Sequence, residues 1–158
     1  MVCPLVVSNS RFASRMFYFN LDAAVGPGCP NKPDDVQLVQ MGYVAMLRNP
    51  AAASVMTPDM KEAFGKIVPG APYTGGRDEW LSKAIRAHQA RSGGTQDGKV
   101  SVATSAAYYD KTHSFIVVVL DNNIMDYMPQ DYPRLDKSPL CAGALRQSVQ
   151  LMLLGKSS

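Results

Sequence analysis

Val25-Gly26-Pro27-Gly28-Cys29-Pro30-Asn31-Lys32-Pro33-Asp34-Asp35-Val36-Gln37-Leu38-Val39-Gln40 is the stretch on which the fold turns. Its first nine residues hold two glycines and three prolines, the punctuation of a loop. Pro33 suits the first turn of a helix, where its missing N–H costs nothing. Asp34 and Asp35 then place negative charge at the positive end of the helix dipole. Val36, Val39, Tyr43, Met46 and Leu47 recur at helical spacing, so a helix is predicted from Pro33 to Arg48. It should stop before Asn49-Pro50, because a residue preceding proline avoids the helical region. Gly42 costs that helix about 1 kcal/mol relative to alanine, and close packing against another backbone is the reason the pattern suggests.

Working outward, Met16-Phe17-Tyr18-Phe19-Asn20-Leu21 reads as an aromatic-rich strand. Thr57-Pro58-Asp59 opens a second helix with the apolar stripe Met60, Ala63, Phe64 and Ile67. Asp78 is expected to open a third, with Leu81, Ala84, Ile85 and His88 inward and a glycine stop at Gly93-Gly94. Residues 113–120 contain the apolar run Phe115-Ile116-Val117-Val118-Val119-Leu120, β-branched at 116–119, and read as the strongest strand. Asp121-Asn122-Asn123 is then a hairpin turn, with a return strand from Ile124 to Met128. Ser138-Pro139 caps a last helix reaching about Leu154. The fold class is therefore α+β: helices in the middle, an N-terminal strand before them, and a β-hairpin plus helix at the C-terminal end.

Composition narrows the function classes. The 158 residues are 46% hydrophobic and 18% charged, which excludes intrinsic disorder. A net charge of +3 gives no electrostatic case for nucleic acid. No apolar run approaches a membrane span, so no membrane insertion is expected. The opening run Met1 to Val7 is too short for a signal segment, contains Pro4 and has no basic residues before it. A chain made in the cytosol without a signal peptide follows, with delivery to the envelope left to a dedicated machine. Cys3, Cys29 and Cys141 form no CxxC and no even framework, so neither a disulfide scaffold nor a thiolate metal site is expected, and no cofactor is implied.

Two stretches together resemble a known family. The first is Val25-Gly26-x-Gly28-x-x-Asn31-x-x-x-Asp35-Val36-x-x-Val39-Gln40. The second is Ala84-Ile85-Arg86-Ala87-His88-Gln89-x-x-x-Gly93-x-x-x-Asp97-Gly98-x-Val100. They resemble the first and last helices of the peptidoglycan-binding-like domain, a three-helix module of bacterial and phage cell-wall proteins. The resemblance covers residues 25 to about 104. His88 departs from it, standing where the family usually has Phe, and the connection between residues 49 and 77 is longer than usual. It implies three parts: an N-terminal segment over 1–24, a helical core over 25–107, and an extension over 108–158 packed on that core. Within the core Val39, Ile85 and Val100 would pack, Asp97-Gly98 would turn with a positive φ, and Gln40 and Gln89 would sit at helix–helix contacts or line a groove.

Chemistry-bearing residues are few. A ligand groove is expected at Tyr73, Trp80, Arg86 and Gln89, because aromatic faces stack on sugars while Arg and Gln hold the carboxylates and amides of a stem peptide. His88, on an apolar face, reads as a packed core residue. Cys141 is placed in the first turn of a helix, where a thiol pKa falls. With His113 it makes a conceivable hydrolase dyad, but no hydrolase signature surrounds either residue, and a structural thiol is the plainer reading. Asp121, Asp126, Asp131 and Asp136 recur every five residues, which fits a solvated face and neither an EF-hand nor a carboxylate pair. Three functions follow in order. The first is a non-catalytic module recognising peptidoglycan. The second is an adaptor in a secretion or phage assembly whose partner is a protein. The third is a small cysteine hydrolase acting on cell wall.

Overall fold

A computed structural model describes residues 1–6, 17–104 and 115–155. Helix α1, Pro33–Arg48, is its axis: twelve of its sixteen residues are buried, so it is covered on nearly every side. Its bounds are those the sequence predicts, with Pro33 in the first turn and the C-cap at Asn49. Asn49 also caps the short α2, Pro50–Ala53, by accepting from Ala51 N. Helix α3, Pro58–Gly65, starts on the Thr57 hydroxyl, which accepts from Met60 N at 3.2 Å. Helix α4, Trp80–Ser92, ends on Gly93 in the left-handed conformation. Strands β1 (Cys3–Val6) and β2 (Phe17–Asn20) pair antiparallel, Cys3 opposite Asn20 and Leu5 opposite Tyr18. β2 is the predicted aromatic strand; β1 forms where the sequence showed only a short apolar run. An isolated bridge joins Val25 to Val100, closing the ends of the segment that holds α1 to α4.

The largest correction falls on the C-terminal third. The predicted strand and return strand of a β-hairpin are one helix, α5, Ile116–Tyr127. A short apolar run does not by itself separate a buried strand from a buried helix; length does. Here the pattern continues past the run through Ile124 and Met125, and all twelve residues coil together. The presumed turn lies mid-helix because tertiary partners hold its polar groups. Asp121 accepts from Phe19 N at 3.0 Å and from the Tyr132 hydroxyl at 2.7 Å. Asn123 donates to Val119 O and accepts from Asn49 Nδ2, at 2.9 and 3.0 Å. Asp121 and Asp136 are accordingly buried, against the expectation of a solvated face, while Asp126 and Asp131 are exposed.

Helix α5 crosses α1 at Gly42, where an added Cβ would stand 2.6 Å from Leu120 Cβ. The glycine thus admits a neighbouring helix at close range, as its place in α1 suggested. Helix α6, Gly143–Leu154, packs on another side of α1 behind a 3-10 turn over Leu135–Lys137. It begins later than predicted: the Ser138 hydroxyl accepts from Leu140 N (3.1 Å) in a local turn, and Ala142 is the N-cap. The acidic start of α1 ties these pieces together. Asp34 accepts from Val2 N at 2.8 Å and from the Ser148 hydroxyl at 2.9 Å, linking the residue before β1 to α1 and α6. Asp35 accepts from the backbone of Asp22 and Ala23, both at 2.9 Å. These carboxylates serve as backbone acceptors as well as dipole partners.

Candidate functional site

The two glutamines of the sequence motifs each hold a loop. Gln40 accepts from Gly70 N (2.8 Å) and donates to Ala71 O (2.9 Å), holding the loop after α3. Gln89 accepts from Gly98 N (2.9 Å) and donates to Asp97 Oδ1 (2.8 Å) and Lys99 O (3.1 Å). Each primary amide mimics a backbone group and satisfies loop donors and acceptors. Gly98 has φ +74°, the positive value its turn requires. Gln89 therefore acts through the fold. Tyr73 is half-buried; its hydroxyl sits 2.6 Å from the Ser82 hydroxyl, and burial raises its pKa.

Trp80 and Arg86 do come together. Leu81, Ala84, Ile85 and His88 turn into the core, leaving Trp80, Lys83, Ala87 and Ala90 along one edge of α4. Met60, Ala63 and Phe64 likewise bury one face of α3, with Phe64 packed against Tyr43 at 4.5 Å between ring centroids. Asp59 and Glu62 stay exposed beside it. Between the two helices lies a groove of about 370 Å³, lined by Asp59, Glu62, Trp80, Lys83, Arg86 and Gln96, with Ala63, Ala87 and Ala90 as apolar wall. Trp80 is 37% exposed, and the ammonium groups of Lys83 and Lys66 lie 4.4 and 5.8 Å from its ring centroid. Arg86 donates from Nη2 to Arg77 O at 2.7 Å. Asp59, Glu62 and Lys83 escaped the sequence reading. Their signal was there: 59 and 62 on α3, and 80 and 83 on α4, share a helix face by spacing.

His88 is packed, as its position suggested. It meets Tyr43 edge-on at 5.8 Å and 80°, with Nδ1 3.3 Å from the Tyr43 hydroxyl. Burial pushes its pKa down to about 4, so it is neutral at neutral pH. Cys141 corrects an expectation. It precedes α6 instead of lying in its first turn, is 2% exposed, and burial pushes its thiol up to about 12. A thiol protonated at neutral pH is a poor nucleophile. His113, the other member of the expected dyad, lies outside the described residues.

A second hollow, about 480 Å³, is made wholly by the extension, from Tyr127, Met128 and Gln130 to Lys137, Ser138 and Pro139. Among the described residues no cluster of His, Cys, Asp or Glu has the makings of a metal site, and no helix is long and apolar enough to cross a membrane. No family model, no curated protein and no solved structure matches the chain.

Proposed function

We propose that the chain is a non-catalytic binding module, built on the peptidoglycan-binding-like plan, that recognises cell-wall peptidoglycan through the α3–α4 groove. One observation carries the reading: Trp80 and Arg86, singled out from the sequence, line one groove together with two carboxylates and a second cation. Mixed polar groups around a short apolar wall are what a glycopeptide ligand needs. The Val25–Val100 bridge and the two loop-holding glutamines support the plan, since they give the motif residues a shared structural role.

Co-sedimentation with purified peptidoglycan sacculi tests this. The parent protein should pellet with the sacculi. Trp80→Ala removes the ring that borders the groove and anchors Lys83, and should weaken binding by about tenfold. A folded parent that stays in the supernatant refutes wall binding. The adaptor reading then stands in its place, with the hollow made by the extension as the contact surface, a protein partner, and a secretion or phage assembly as the setting.

A further inference from the structure

The α3–α4 groove gathers charge of both signs without cancelling it. Asp59 and Glu62 come from α3, and Lys83 and Arg86 from α4. Among the described residues no ion pair joins any of the four to another. Arg86 commits Nη2 to the Arg77 carbonyl, and its Nη1 is buried beside Gly98 with no protein acceptor. Asp59 and Glu62 are exposed while Lys83 and Arg86 are half-buried, and with no ion pair among them a ligand has no strong contact to displace.

Trp80 takes a different part from the one its sequence suggests. A ring with an ammonium 4.4 Å from its centroid is not an open platform for a sugar. It is a holder for Lys83, whose flexible stem it fixes by cation–π attraction. The groove thus presents carboxylates on one helix, positioned cations on the other, and the small apolar faces of Ala87 and Ala90. The complement is a short aliphatic arm ending in a carbon that bears both an ammonium and a carboxylate.

We infer that the groove recognises the stem peptide of the wall polymer by a zwitterionic amino-acid end, and not by the glycan. The ammonium faces Asp59 and Glu62, and the carboxylate faces Lys83 and Arg86. This rests on the wall-binding reading and narrows it to one chemical group.

Titration calorimetry on the full chain separates the two. The probes are L-Ala-γ-D-Glu-meso-diaminopimelate, the same peptide with its side-chain carboxyl amidated, the lysine analogue lacking that carboxyl, and the peptide-free disaccharide. The diaminopimelate peptide should bind about tenfold tighter than the amide or the lysine analogue, the scale of one charge-assisted contact. Lys83→Met should erase that preference and leave the lysine peptide unaffected. Glu62→Gln should weaken both, since both keep the ammonium. Both side chains line the rim of the groove, and an unchanged thermal melt confirms that the variants fold. Equal binding of the three peptides, or tighter binding of the disaccharide, overturns the zwitterion inference while wall binding survives. Binding of neither probes nor sacculi removes both.

Discussion

Replacing His88 by Phe should flatten the acid limb of the stability curve. His88 is 7% exposed, and burial alone lowers its pKa from 6.5 to about 4. The unfolded chain therefore takes up a proton between pH 6.5 and 4 that the folded chain refuses. The sign follows: the neutral imidazole's stability is fully present above pH 6.5 and is lost as pH falls towards 4. Across the whole window the loss is roughly 3 kcal/mol, and between pH 7 and pH 5 about 2 kcal/mol. Asp34, Glu79 and Asp136, whose carboxyls are held below their ordinary values, lose stability only at more acid pH. Asp35, raised by burial, works in the opposite direction. The informative quantity is the difference between parent and variant, in which every group other than His88 cancels. Urea unfolding at pH 7 and pH 5 supplies it. The parent should lose about 2 kcal/mol more than His88→Phe over that interval. The variant strands the Tyr43 hydroxyl, a cost of about 1–3 kcal/mol that does not vary in this window; Tyr43→Phe in the same background removes it. A variant that keeps the parent's full pH dependence would refute the assignment of a neutral, desolvated His88.

Two further outcomes probe the core. Gly42→Ala should destabilise by about 1–3 kcal/mol, because the new methyl overlaps Leu120; chemical denaturation of Gly42→Ala, Leu120→Ala and the double variant should show coupling between them. Cys141 should be the slowest of the three thiols towards a disulfide reagent at pH 8, reacting only on unfolding; prompt labelling in the native state would contradict its burial.

The helical middle was legible because its signals are local. Pro33, the acidic pair after it and Asn49-Pro50 set the ends of α1 without reference to anything distant, and Thr57-Pro58 did the same for α3. The C-terminal third was misread because its decisive partners are far away in sequence. Asp121 looks like a turn residue until Phe19 and Tyr132 are seen to bond it, and only then does a valine run followed by polar residues make sense as one helix. Half of the candidate site was legible for a similar reason. Trp80 and Arg86 stand out by type, whereas the loop partners of Gln89 at 97–99 are invisible to a helical wheel. The acids of the groove belong to a different helix from its bases, and no pattern within one helix reports that pairing.

The bond triangle of Val2, Asp34 and Ser148 has a consequence for synthesis. Helix α1 leaves the ribosome well before two of the helices that cover it, α5 and α6. The surface they cover therefore stays open to solvent and to other nascent chains until both have been made. Closure needs contacts 114 and 146 residues apart in sequence, which makes the final step slow relative to local helix formation. A ribosome stalled before residue 143 would carry a chain whose central helix lacks its α6 cover, a natural client for a chaperone.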